Sequence, residues 1–346
     1  MKSYLKIFLI AILAHCSTVV DAQTNITIEV LTQANKTSIR GLSVVSEKII
    51  WVSGSNGMVG KSTDGGKNFQ WMQVPGFEKR DFRDIEAYSD QVAIIMGIAE
   101  PAVILKTKDG GNSWYTVFTD STKGMFLDAM HAEGKTIQVV GDPINGKAFF
   151  AISHNEGESW SSQLKDGIPL QEGEAFFASS GSNLQIASPY EQFKSATWMV
   201  TGGKASRIIN ARDQRDSYAL PLLQGKESTG ANSINISPSG KFAFIVGGDF
   251  ARDTVREGNA VKVEFGKSIR FTQPITPPHG YRSSVVYINE NTLISCGTSG
   301  VDISRDGGMH WENISKLSFH VVKKAKKSKA VFLAGGGGRI ARLLLE

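Results

Sequence analysis

The sequence predicts an all-β protein, a seven-bladed β-propeller whose ring is closed by its amino-terminal strand. Three observations lead there: a turn motif recurs at a near-constant period, short apolar runs fill each period, and the last period lacks a strand. The motif reads Ser62-Thr63-Asp64-Gly65-Gly66-Lys67-Asn68-Phe69, then Thr107-Lys108-Asp109-Gly110-Gly111-Asn112-Ser113-Trp114, then Ser304-Arg305-Asp306-Gly307-Gly308-Met309-His310-Trp311. A worn copy, Ser153-His154-Asn155-Glu156-Gly157-Glu158-Ser159-Trp160, keeps the hydroxyl, the Asx residue, the second glycine and the tryptophan. Asp64 and Asp109 lie 45 positions apart and Asp109 and Asn155 46, while the 151 positions from Asn155 to Asp306 hold three further units of about 50.

The motif has a physical logic. The Asx side chain accepts backbone N–H bonds within the turn, and the glycines take positive φ where another residue would be strained. The aromatic three residues past the second glycine folds back as a wedge between neighbouring sheets. Asp64, Asp109, Asn155 and Asp306 are therefore read as structural, on an outer hairpin away from the channel. Each copy follows apolar runs such as Gln91-Val92-Ala93-Ile94-Ile95-Met96 and Ala102-Val103-Ile104-Leu105-Lys106, and several short strands in such a period describe a four-stranded blade. Inner strands are expected to start near Arg40, Arg83, Leu127, Glu174, Ser233, Arg282 and Phe319, which makes seven units. The seventh ends at Gly338-Arg339-Ile340-Ala341-Arg342-Leu343 without a fourth strand, and the alternating stretch 25–31 supplies it. Closure of this kind removes two exposed sheet edges.

The rest of the chain bounds the function. With 346 residues, 41% hydrophobic and 21% charged, it can bury a large core; length alone would permit two domains, and the period argues for one. Residues 1–22 read as a secretory signal: Lys2 and Lys6, an apolar stretch from Ile7 to Ala14, and Val20-Asp21-Ala22 before Gln23. The expected organisation is a signal over 1–22 and one propeller over 23–346, exported to the periplasm or secreted, with no transmembrane span. Lipidation at Cys16 is the less favoured alternative, because His15 sits where lipoprotein signals place a small residue. Cys296 is then alone, so stability must come from packing rather than a disulfide. The net charge of +5 has no basic stripe with interleaved aromatics, so no nucleic-acid partner is expected. The one cationic run, Lys323, Lys324, Lys326, Lys327 and Lys329, reads either as a solvated hairpin loop or as an anionic docking patch. The histidines show no paired ligand spacing, and Gly335 to Gly338 lacks the helix of a phosphate cradle. No metal and no cofactor are expected.

On these boxes the sequence resembles the Asp-box, or bacterial neuraminidase repeat, superfamily. It is most similar there to the photosystem II assembly factor family and to exported bacterial propellers that sometimes carry an oxidoreductase label. The stretches that carry the likeness include Asp81-Phe82-Arg83-Asp84-Ile85, Gly141-Asp142-Pro143, Gly173-Glu174-Ala175-Phe176-Phe177, Gly202-Gly203-Lys204-Ala205-Ser206-Arg207, Gly247-Gly248-Asp249 and Gly280-Tyr281-Arg282-Ser283. The resemblance implies a module that grips an unfolded protein segment on an arginine-lined face.

Ligands of propellers bind at the channel mouth, where the loops leading into the innermost strands converge. Arg40, Arg83 and Arg282 share a register before three of those strands, and Arg207 joins them as a candidate. Asp84, Asp128, Asp142 and Asp249 are placed to pair with them. The arrangement reads either as a carboxylate-binding site, matched to the guanidinium fork, or as a salt-bridge network between blades. The leading expectation is a monomeric module that binds a protein segment or a glycan at this mouth and does no chemistry. The alternative is an enzyme of the same mouth, polysaccharide- or sugar-acid-active or an oxidoreductase, with Glu174, Asp84 and Tyr281 as catalytic candidates. A sialidase would add an arginine motif with proline that this sequence lacks.

Overall fold

Innermost strands at Ile39–Val44, Phe82–Ala87, Leu127–Glu133, Leu184–Ile186, Thr229–Ile236, Ser284–Tyr287 and Val321–Lys324 each open an antiparallel sheet that runs outward from a central axis. They belong to a computed structural model that describes residues 26–33, 36–162, 167–187, 196–213 and 216–345. Seven such sheets follow one another around the ring, and we number the blades one to seven in chain order. Residues 1–22, read above as an export signal, and with them Cys16, lie outside the described residues.

The seventh blade confirms the expected closure. Its strands Val321–Lys324, Val331–Ala334 and Ile340–Leu345 are completed on the outside by Ile26–Thr32, antiparallel to Ile340–Leu345 with Ile28 opposite Leu343. Ile26 and Ile28 pack on the apolar cluster between blades six and seven, and Leu31 on the cluster between blades seven and one.

The apolar core is divided among the blade interfaces. Seven clusters each straddle two neighbouring blades, for example Ile94, Met96 and Ile104 against Met130, Ile137 and Val139. The four boxes connect the third and fourth strands of blades one, two, three and six. In each, the hydroxyl bonds the Asx oxygen and receives the second glycine's N–H: Ser62 Oγ to Asp64 Oδ1 is 2.9 Å, and Gly66 N to Ser62 Oγ is 2.9 Å. Thr107 with Asp109, Ser153 with Asn155 and Ser304 with Asp306 repeat this within a tenth of an ångström. Gly308 holds φ at 95°, and a Cβ there would lie 2.1 Å from the Phe244 ring of blade five, so the turn needs glycine for both reasons. The wedge is also as expected: Trp311 lies 5.2 Å from Phe244, and Trp114 meets Trp51 edge-on at 6.4 Å.

A second set of bonds stitches the axis. Apart from Gly230 of blade five, which pairs with Gly202, an innermost strand has no sheet neighbour on its channel side, so its outward amides need acceptors elsewhere. The preceding blade supplies them: Ser43 Oγ accepts from Ala87 N at 3.0 Å, and Asp84 Oδ2 from Met130 N at 2.7 Å. His131 Nδ1 accepts from Ile186 N at 3.4 Å, Gln185 Oε1 from Ile236 N at 2.8 Å, and Asn235 Oδ1 from Tyr287 N at 2.8 Å. Ser284 Oγ accepts from Val322 N at 3.2 Å, and His320 Nδ1 donates to Ile39 O at 2.9 Å to complete the circle.

The fourth unit departs from the expected spacing. Its innermost strand begins at Leu184, ten positions after Glu174, because Glu174–Ala175 pairs instead with Gly202–Gly203, and that pair joins the sheet of blade five. Residues 176–183 then turn inward and cross the channel. Ser179 O accepts from Arg40 of blade one at 3.2 Å, Ser179 Oγ donates to Asn232 of blade five at 2.9 Å, and Ser180 Oγ donates to Ser283 O before blade six at 2.6 Å. Gly181 abuts blade two so closely that a Cβ would lie 2.1 Å from Asp84 Oδ2. Small residues make this passage possible, and the segment plugs the axis between its two ends.

Removal of residues 23–35 strips the seventh blade of its outer strand and uncovers the edge of Ile340–Leu345, so the melting temperature should fall by about 3–6 °C, on the order of 2–4 kcal/mol for a ring this size. Thermal unfolding followed by circular dichroism decides it, and an unchanged midpoint overturns the closure.

Candidate functional site

The mouth at the starts of the innermost strands brings Arg40 and Arg83 together, one from each of the first two blades. Arg40 spends one bond on Ser179 O. Burial, and next the charge of Arg83, push its guanidinium below its ordinary value, and His320 beside them feels both charges. Arg83 reaches Asp81 at 3.4 Å and lies 5.8 Å from the centre of the Phe126 ring, while its Nε finds no partner. Two like charges share this space with one half-exposed carboxylate close by.

On the side of Arg40, whose charge reaches Tyr281, stands an aromatic step that the sequence did not suggest. Phe250, 50% exposed, meets Phe177 edge-on at 5.8 Å and Tyr281 at 6.3 Å. Tyr281 is buried beneath it, and its hydroxyl donates to Asn232 Oδ1 at 2.8 Å. Burial, offset in part by a bond to Ser179 and by Arg40, pushes the Tyr281 phenol up to about 12. The available signal was Phe176-Phe177 ahead of Ala178-Ser179-Ser180-Gly181-Ser182-Asn183, aromatics followed by residues small enough to enter a channel.

The other candidates fall elsewhere. Arg282 is fully buried: its Nε bonds Asp302 Oδ2 at 2.5 Å, its Nη2 pairs with the same carboxylate, and its Nη1 bonds Tyr281 O at 2.8 Å and Ser299 Oγ at 2.7 Å. The expected triad at the mouth is corrected to a pair, because Asp302 draws the third arginine into its own blade. Glu174 is corrected likewise: it is 1% exposed and closed in by Arg207, whose Nε lies 2.9 and 3.1 Å from its two oxygens and whose Nη2 lies 2.8 Å from Oε2. Thr201 Oγ1 and Gln171 N occupy the same carboxylate.

None of the aspartates placed to pair with the mouth arginines does so. Asp84 is 1% exposed, bonded to Ile85 N and Met130 N, and burial pushes it well above the usual carboxylate range. Asp249 bonds Arg252 Nε at 2.8 Å and Ala251 N at 3.0 Å. Asp142 accepts from Phe176 N at 3.1 Å and is raised by burial; burial, and next Asp142, raise Asp128 well above its usual range. Asp64 and Asp109 of the boxes are held down to about 2 by bonds within their own turns, and Cys296 is buried with its thiol pushed up. Among the described residues no group of three metal-ligating side chains comes together, and no helix is long and apolar enough to cross a membrane.

Comparison with known proteins returns the same architecture. The photosystem II assembly lipoprotein Ycf48 of Synechococcus sp. (strain CC9902) is 23% identical over 286 residues, 82% of this chain and 77% of that protein. The solved structure of YCF48 bound to D1 peptide superposes with a TM-score of 0.62 at 16% identity over 93% of this chain and 97% of that one. The chain resembles Ycf48 in sequence and in fold. YCF48 from Cyanidioschyzon merolae gives the same TM-score at 15% identity, over 91% of this chain and 98% of that one. The Niastella koreensis GH74 enzyme gives 0.60 at 12% identity, with 91% of this chain matching 53% of that chain, so the likeness to Ycf48 extends over more of the partner's length. No protein-family model matches the chain.

Acid should loosen the ring before it reaches the boxes. His131 and His320 are both pushed down to about 4, chiefly by burial, against an ordinary 6.5. The unfolded chain therefore binds protons that the folded chain refuses, and stability falls as pH drops from 6.5 to 4. Each histidine should cost about 1–3 kcal/mol across that window. The box aspartates lose their contribution only below 3.8. Denaturant titration at pH 7 and 4.5 should show the loss, and His131→Gln with His320→Gln should flatten it.

Proposed function

We propose that this protein is an exported binding module that grips an extended protein segment at the Arg40–Arg83 mouth. The observation that carries the reading is the pair of guanidiniums with uncommitted donors, with the half-exposed Phe250 standing on Tyr281, which feels the Arg40 charge. The fork of each matches a carboxylate in bidentate geometry, and an aromatic face next to it takes an apolar side chain of the same segment. The segment the site fits is therefore one that carries an acidic side chain or a chain-terminal carboxylate next to an apolar residue. The likeness to a propeller solved with D1 peptide supports a protein segment over a glycan. The segment 1–22, and a relative named as a lipoprotein, support placement outside the cytoplasm.

The glycosidase-like reading has less to stand on. It needs two carboxyl groups facing an open cleft about 5–9.5 Å apart. Glu174 has both oxygens occupied by Arg207, and Asp84 caps strand amides beneath the plug.

Arg40→Ala with Arg83→Ala should weaken capture of a labelled unfolded acidic peptide by about tenfold or more, with the melting temperature unchanged, and wild-type affinity should fall with salt. Fluorescence anisotropy reads both. Arg282→Ala should instead cost about 3–5 kcal/mol of stability, because it leaves Asp302 buried without its partner. Peptide binding that ignores the double substitution, or glycan binding in its place, overturns the reading.

A further inference from the structure

The opposite end of the channel, where the innermost strands leave the axis, holds a cavity of about 730 Å³. That is the size of a small-molecule site. Ser182 of the plug is part of its floor, Glu86, His131, Gln185 and Asn235 line its wall, and the turn of the cationic run, 323–328, forms its rim. This end is separated from the Arg40–Arg83 mouth by residues 176–183.

Its hydrogen-bonding groups are unbalanced. Lys323 stands on blade seven and lines the cavity together with Glu86 and His131 of blades two and three, close enough for its charge to act on both. Among the described residues its ammonium makes no hydrogen bond or ion pair. Gln185 gives its oxygen to Ile236 N and leaves its Nε2 donors uncommitted. His131 accepts at Nδ1 from Ile186 N, so the neutral ring carries its proton on Nε2, a third uncommitted donor. The two carboxylates that line the cavity are both engaged: Glu86 pairs with Lys326 at 2.6 Å and accepts from Ala132 N at 3.4 Å, and Glu133 has a partner of its own. Lys324 is likewise tied to Ile288 O at 2.8 Å.

We propose that this cavity is a second binding site, for a small molecule carrying a carboxylate or phosphate group that takes the Lys323 ammonium and the Gln185 and His131 N–H donors. An anion supplies acceptors where three donors converge, and the enclosed wall strengthens the attraction relative to water. The proposal is independent of the protein-binding reading, and the cationic run is read here as part of a site and not only as a solvated loop.

Isothermal titration of the full chain with citrate and with inorganic phosphate, at constant ionic strength, tests it. Saturable one-to-one binding of either probe is expected, and which probe binds separates a carboxylate from a phosphate ligand. Lys323→Gln should weaken it about tenfold or more, Lys323→Arg should retain it, and Arg40→Ala with Arg83→Ala should leave it unchanged. Gln185→Leu, which removes an uncharged donor, should weaken it several-fold and serves if Lys323→Gln fails to fold. No saturable binding of either probe, equal binding by the Lys323→Gln and Gln185→Leu variants, or loss in the Arg40 and Arg83 variant overturns the proposal.

Discussion

The free edge of the innermost strands is the constraint on which the rest of this ring depends. Each blade begins at the axis with a strand that has a neighbour on one side only, apart from the start of Thr229–Ile236, where Gly230 pairs with Gly202, and a buried amide left without an acceptor costs about 1–3 kcal/mol. Seven blades present that problem together. The chain answers it with Ser43, Asp84, His131, Gln185, Asn235, Ser284 and His320, each bonding backbone of the next blade across an interface whose remaining stability comes from apolar packing. Polar residues on otherwise apolar strands are thus committed to the scaffold. That is why Asp84, attractive as a catalytic group from its position in the chain, sits 1% exposed and holds a strand in place.

The fold was legible because its signals are local. A box closes within five residues, its bonds repeat almost unchanged in four blades, and the closing strand announces itself by alternation. The site was less legible because its geometry depends on partners far along the chain. Arg40, Arg83 and Arg282 share a register, but the residue two before the box hydroxyl differs among their blades: Gly60 in blade one, Leu105 in blade two, Asp302 in blade six. A carboxylate at that position turns the arginine inward, whereas glycine or leucine leaves it to the mouth. The difference is visible in the sequence once the box is used as the ruler. Phe250 gave no such warning, since nothing local distinguishes an aromatic that stays half-exposed from one that packs.

Glu174 shows how a blade without a box misleads. Blade four carries no box, so spacing alone locates its start, and the extra residues before Leu184 read as strand. In the structure they do something else: Glu174 and Arg207 lock a short strand pair to the neighbouring sheet, and the eight residues 176–183 go down the axis. An insertion of small residues just ahead of an innermost strand is the form such a plug takes in sequence.

The plug divides the axis into two ends with different chemistry. Ser179 offers its carbonyl to Arg40 at one end, and Ser182, three residues on, floors the lysine-rimmed cavity at the other. Arginine forks beside an aromatic step present an open, shallow surface, suited to a chain that must be gripped along its length. The lysine end is recessed and lined by single donors, suited to a group small enough to enter. Both ends favour negative charge, and in both the carboxylates that could have answered it within the chain are engaged elsewhere: Asp249 with Arg252, Glu174 with Arg207, Glu86 with Lys326. Internal pairing of its acids is what leaves Arg40, Arg83 and Lys323 with donors to offer.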